Sequence, residues 1–336
     1  MKNRFPLFTI FALAALTPLA AACGDTVAPS GDAARPTPQG RIMTANQGAN
    51  TVSVIDVATD SVYATVPTGN SPHHVLPTPD GKEFWVTLYK ANHLQVFDTA
   101  TLKELGQVDL GGASDDLTFA PDGKRLYVSM GADNVVAVVD PAARTLLTKI
   151  PVGMTPHGVK VRPDGKELYV TNTADNTISI ISLGDTPKME ISFHVGNDPF
   201  EVTFDPDGKT AFVSNFLGDS VAMVDTATRQ VKGVLRAGKQ PAMMSFVNGT
   251  GGDMLWVANT GSQEVWVVDP TTKKLVTRIP AGGGAHGVVP TPSGKVYVTN
   301  TNDGTVTVID AATGKVKTTI GVGANPNGLG FVPPNS

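Results

Sequence analysis

Three segments set an imidazole at the same place in a similar context: Pro72-His73-His74-Val75, Pro156-His157-Gly158-Val159 and Ala285-His286-Gly287-Val288. Aligned on the residue before it, this position runs His73, Asp115, His157, Phe200, Ala242, His286 and Asn327 along the chain. The position after it runs His74, Asp116, Gly158, Glu201, Met243, Gly287 and Gly328, with Ser114 replacing the proline ahead of Asp115. Four of the six histidines therefore share two columns with Asp115, Asp116 and Glu201. Imidazole suits zinc and copper, and thioether selects Cu(I). Met154 lies three residues before His157, Met243 and Met244 start one of the aligned segments, and Met130 ends the strand that follows another, so four of the nine methionines fall near these columns. The spacing nominates His73, His157 and His286, with Asp115 and His74, as ligands for copper or zinc, copper ahead of zinc. Asp116, Met130, Met154, Glu201, Met243 and Met244 are secondary candidates. Hard oxygen ligands of the kind calcium needs are sparse here. A solvated histidine at a strand start fits the same pattern, and the alignment leaves both readings open.

Covalent catalysis has no comparable support. The chain contains neither G-x-S-x-G nor H-E-x-x-H, and its single cysteine, Cys23, stands near the N-terminus. One cysteine also rules out an intramolecular disulfide. The net charge of -4 with no basic run argues against nucleic acid as a partner, since sequence-independent binding needs concentrated Lys and Arg.

Residues so far apart in the chain meet only if a repeated architecture stacks them. Pro-Asp-Gly-Lys recurs with its glycine at 81, 123, 165 and 208, and Pro-Ser-Gly-Lys has Gly294. The steps of 42, 42, 43 and 86 give a period near that of a four-stranded propeller blade; the copy missing from the double step falls in Val247-Asn248-Gly249-Thr250-Gly251-Gly252. Within a repeat, a strand such as Pro156–Val161 meets the Pro-Asp-Gly turn, where Pro presets φ and Gly permits positive φ. A second strand follows, such as Leu168–Asn172, and then a third with period-two alternation, such as Thr177–Ile181. The third usually ends in an aspartate (Asp56, Asp98, Asp140, Asp225, Asp269, Asp310) suited to an Asx turn, and a fourth strand resembles Lys315–Ile320. No segment has helical periodicity. The first repeat begins at Arg41 on a second-strand match and the chain ends, at Asn327–Val332, on a first-strand match. The expected fold is therefore an all-β, seven-bladed propeller closed by pairing the C-terminal inner strand with three N-terminal strands, Arg41 to about Pro67, which removes the open sheet edge.

The second strands carry a resemblance. Tyr169-Val170-Thr171-Asn172 and Tyr297-Val298-Thr299-Asn300 read Y-V-T-N, with close variants at Tyr127, Phe212, Trp256 and Trp85. From Arg41 to its end the chain resembles the YVTN-repeat family of exported, surface-layer-like propellers. The resemblance implies packing between blades for the aromatic column (Met43, Trp85, Tyr127, Tyr169, Phe212, Trp256, Tyr297). The Asn column (Asn46, Leu88, Met130, Asn172, Asn215, Asn259, Asn300) is expected to cap loops through its side chains. Leu88 and Met130, which break that column, are expected to join Tyr89, Phe216 and Leu217 as apolar spots at one mouth of the central channel, where a protein or small ligand docks. The aligned histidines are expected at that mouth too. Propeller lactonases are similar in architecture and place carboxylates around a channel metal; Asp115, Asp116 and Glu201 are the only carboxylates suited to that here. Streptogramin lyases carry Glu where this chain has the column Asn.

The N-terminus reads as targeting sequence. Lys2 and Arg4 precede an apolar stretch, Phe5 to Leu19, too short to span a bilayer well. Leu19-Ala20-Ala21-Ala22-Cys23 resembles a bacterial lipobox, with Ala20 where Leu is commonest. Residues 1–22 are expected to be a lipoprotein signal peptide and Cys23 the lipidation site. Gly24, not Asp, follows, which by resemblance to Gram-negative sorting favours the outer membrane. Asp25 to Gly40 is a Pro- and Ala-rich tether whose extended reach is roughly 50 Å. The sequence thus describes an exported, membrane-anchored lipoprotein, periplasm-facing or on the cell surface, acting as a binding or interaction module. The alternative is a copper- or zinc-binding propeller, perhaps a metal-dependent lyase or hydrolase.

Overall fold

A computed structural model of the chain describes residues 40–249 and 252–334; the expected signal peptide, Cys23 and the expected tether up to residue 39 lie outside the described residues. The described chain forms seven four-stranded antiparallel sheets and no helix. Blade I contains the strands Arg41–Asn46, Thr51–Asp56 and Ser61–Pro67, and its fourth strand is Pro326–Val332 from the far end of the chain. Blades II to VII follow in chain order, with inner strands Pro72–Pro77, Leu117–Phe119, Pro156–Val161, Pro199–Phe204, Pro241–Gly249 and Ala285–Pro290. The closure is the expected one: Arg41 pairs with Val332 and Thr44 with Leu329.

Turn chemistry explains the hairpins. Gly81, Gly123, Gly165, Gly208 and Gly294 all have φ between 69° and 78°, as the turn demands. Asp56 Oδ1 accepts from the amides of Ala58 and Thr59 at 2.7 and 3.1 Å, and the other strand-ending aspartates repeat this Asx turn. In blade VI the degenerate turn lengthens its hairpin, whose pairing runs out to Gly249 and Gly252.

Seven hydrophobic clusters hold the disc together, and each is shared by two neighbouring blades. The aromatic column lies in these seams. Trp85 stands edge-on to Phe119 at 6.1 Å, Tyr169 to Phe204 at 5.0 Å and Phe212 to Phe246 at 5.2 Å, each pair crossing from one blade to the next. The last seam, with Tyr297 and Val308 against Ile42 and Ile55, joins blade VII to blade I. There Lys295 Nζ also reaches the Asp60 carboxylate at 2.8 Å, and the Tyr297 hydroxyl donates to the same carboxylate.

Candidate functional site at the channel mouth

Six of the seven inner strands begin with a bulge; in blade III the strand pairing starts only at Leu117. In blade II the pairing jumps from Pro72 opposite Leu88 to Val75 opposite Val86, and the same irregularity recurs at Pro156/Val159, Pro199/Val202, Pro241/Met244 and Ala285/Val288. A bulge inserts an extra residue and re-aims side chains. The two bulged residues are the two aligned columns. The amide freed by the bulge is taken up by the Thr or Ser of the second strand. The His74 amide donates to Thr87 Oγ1 at 2.9 Å, that of Gly158 to Thr171 Oγ1 at 2.8 Å, and that of Glu201 to Ser214 Oγ at 3.0 Å. Several of these hydroxyls then donate across the blade boundary: Thr87 to the Asp115 carbonyl at 2.7 Å, Ser129 to that of His157 at 2.5 Å, Thr171 to that of Phe200 at 2.8 Å and Thr299 to that of Asn327 at 2.9 Å. The third letter of Y-V-T-N therefore stitches the channel wall.

At the mouth the first column forms a floor of rings. His73 and His157 meet edge-on with centroids 5.4 Å apart although blade III lies between them. Phe200 packs on His157 at 3.9 Å and meets His286 edge-on at 5.5 Å. Tyr89 stacks on His73 at 5.8 Å, and Phe216 lies 5.3 Å from Phe200. Short neighbours, Asp115 in blade III and Ala242 in blade VI, leave room for the larger rings to bridge over them. The cavity lined by His73, His157, His286, Met243, His74 and Asp116 is about 10 Å³, room for one water molecule.

Hydrogen bonds set the tautomers. His73 Nδ1 is 2.9 Å from the Asp115 carbonyl and His157 Nδ1 3.1 Å from that of Phe200. A carbonyl only accepts, so both rings carry a proton on Nδ1, and in the neutral ring the lone pair is then on Nε2. His286 Nδ1 is buried with no hydrogen-bond partner. Burial pushes His73 down to about 3, helped by the charge His157 would carry, and burial likewise takes His286 to about 3. Both are neutral imidazoles at neutral pH.

The second column holds charge. His74 Nδ1 pairs with the buried Asp116 carboxylate across the boundary of blades II and III. Asp116 also accepts from the amides of Leu117 at 2.7 Å and Val159 at 3.1 Å. Burial opposes its ionisation, but the His74 charge and hydrogen bond, with the Val159 amide, hold it below the usual carboxylate range. Glu201 moves the other way: burial first, then the Asp116 charge, raise it well above the usual range. Asp115 is raised by burial as well, and its carboxylate accepts from the Gly131 amide at 2.8 Å.

Several expectations change. Leu88 and Met130 are fully buried between blades, not apolar spots at the mouth, because an apolar side chain in the Asn column turns into the seam. Met130 and Met244 are core residues and face no lumen; the bulge sends Met243 to the cavity and Met244 into the seam between blades V and VI. Met154 is half exposed on the entering loop and does not line the cavity. His74 is not solvated but is half of a buried pair with Asp116. Asp115 spends one oxygen on a backbone amide. Among the described residues no three His, Cys, Asp or Glu side chains stand together as a metal-binding group, so the expected three-histidine centre with Asp115 is not formed. The Asn column does more than cap loops: Asn172 Nδ2 donates at 2.9 Å to both Thr177 and Ser179 on the third strand. Phe200, the centre of the floor, had been aligned with the histidines without being given a role.

Two family models match parts of the chain. One described as "Lactonase, 7-bladed beta-propeller" matches residues 33–192, and one described as "Outer membrane protein assembly factor BamB" matches residues 207–319. No curated protein matches it. Among solved structures, hydrazine synthase of Kuenenia stuttgartiensis is similar at 21% identity over 78% of this chain and 90% of that one, with a TM-score of 0.69. A protein of unknown function from Desulfotomaculum acetoxidans is similar at 16% identity over 88% of this chain and 100% of that one, TM-score 0.77. A protein provisionally titled 6-phosphogluconolactonase, from Bacteroides fragilis, is similar at 19% identity over 88% and 98%, TM-score 0.73. At these identities the likeness is one of fold.

Proposed function

We propose that this propeller is the working part of a membrane-tethered, extracytoplasmic lipoprotein of YVTN-repeat type, and that it binds its ligand on the channel-mouth face without transforming it. The ring floor carries this reading. Ligand pockets typically enclose about 300–1,000 Å³, and the lumen behind the floor is about 10 Å³. An organic ligand bound on this face therefore rests on the floor and its rim and does not enter the lumen. Tyr89, 47% exposed, and Leu217, 59% exposed, stand on that rim beside Phe216 and supply apolar contact next to imidazole nitrogens. Cys23 after a small-residue run, and the Pro-rich tether behind it, support the anchoring.

The test is site-specific photocrosslinking in cells of the native host. A photoreactive residue at Leu217 is expected to give a discrete adduct. The same residue at Leu147, 48% exposed on an outer strand, is the control. Equal labelling at both positions, or none at Leu217, would overturn the reading.

A second reading, lactone hydrolysis, draws on the family match over residues 33–192 and on the buried His74–Asp116 pair. Hydrolysis of 6-phosphogluconolactone by the purified protein, lost in His74→Gln, would replace binding with catalysis.

A further inference from the structure

We infer that the channel mouth binds one Cu(I) ion between the imidazoles of His73 and His157 and the thioether of Met243. This deepens the binding reading of the same face and rests on it. Both rings donate Nδ1–H to a backbone carbonyl, of Asp115 and Phe200, which is the arrangement that orients metal-ligating histidines and leaves Nε2 as the donor atom. Metal–imidazole bonds are about 2.0–2.1 Å, so two rings on one ion have centroids roughly 5–6 Å apart; these are 5.4 Å apart. Met243 lines the same cavity from blade VI, at a column position that is glycine in blades I, IV and VII.

The choice of ion follows from the donors. Thioether sulfur is soft and selects Cu(I) over zinc. Structural zinc takes four ligands, whereas Cu(I) is satisfied by two or three, and no three His, Cys, Asp or Glu side chains converge among the described residues. An independent sign is His286. Its ring, 8% exposed, lines the cavity, and its Nδ1 has no partner in the protein, which is rare for a buried nitrogen.

The experiment uses the lipidated full chain in detergent, with Cys23 blocked by its lipid, under anaerobic conditions. Cu(I) is titrated in competition with bicinchoninate, with Zn(II) in a parallel series. One Cu(I) per chain is expected, with Zn(II) binding at least about 10-fold weaker. The His73→Gln/His157→Gln double variant is expected to bind roughly 100-fold more weakly. Met243→Leu is expected to remove the sulfur contribution from the copper X-ray absorption spectrum. Should the double variant fail to fold, Ag(I) added to the wild type reports instead, by shifting the 15N resonances of two histidine Nε2 atoms. No stoichiometric Cu(I), tighter Zn(II), an unchanged double variant, or unshifted histidines would overturn the inference. Photocrosslinking at Leu217 separates the outcomes: an adduct without copper binding ends the metal site and keeps the binding face.

Discussion

The Thr171 hydroxyl donates to the Phe200 carbonyl of the next blade at 2.8 Å and accepts from the Gly158 amide of its own blade at 2.8 Å. One small side chain thus holds a bulge open and binds two blades at the level of the ring floor. Thr171→Val keeps the shape and removes both bonds. It leaves a buried amide and a carbonyl unpaired, a loss of about 1–3 kcal/mol. Thr171→Ser is expected to restore most of it. Urea denaturation of the three proteins measures this; equal stability of Val and Thr forms would show that water satisfies the bulge.

Closure is the second expectation. Removing residues 327–336 strips blade I of its inner strand and exposes the edge of Arg41–Asn46. The truncated chain is expected to unfold or aggregate. Size-exclusion chromatography and circular dichroism check it; a monomer melting near the full-length protein would refute the shared blade.

Glu201 and Asp116 give opposite pH dependences. Glu201 is raised in the folded state, so the folded protein holds a proton that the unfolded chain releases from about pH 4.3 upward. Its contribution is most favourable below that pH and is lost as pH rises towards its folded value. Asp116 is depressed, so its contribution is present above the unfolded carboxylate range and lost as pH falls through the folded value. Glu201→Gln mimics the protonated acid and is expected to flatten the decline on the alkaline side and raise stability there. Unfolding free energies measured across pH 4 to 9 compare the two proteins, and parallel curves would contradict the assignment.

Much of this architecture was legible. The Pro-Asp-Gly spacing gave the hairpins, and the phase of the first and last repeats gave the closure, because turns are local chemistry and a closed ring must balance its strands. The site was legible only as two columns. Alignment placed His73 and His157 at one level, but that a small Asp115 lets them touch across a blade is a matter of side-chain reach. Met244 was misread as a mouth residue. The column behind the bulge, Val75, Leu117, Val159, Val202, Met244, Val288 and Leu329, is apolar throughout and marked it as core. The His74–Asp116 pair escaped because it joins different repeats, which repeat-wise alignment keeps apart.

The anchoring expectation is the simplest to test. Cys23→Ser removes the acceptor thiol and is expected to move the protein from the membrane pellet to the soluble extracytoplasmic fraction. Unchanged pelleting on fractionation would remove the lipid anchor from the account.

The described chain enters the disc at Gly40, whose carbonyl accepts from the Val57 amide at 3.1 Å, beside Val332. The strand Arg41–Asn46 then runs towards the mouth, reaching it at Asn46 opposite Pro326. Entry and mouth are thus on opposite sides of the disc. Whatever is joined to the disc through Gly40 is therefore joined on the side away from the histidines, and the mouth is left clear of that junction.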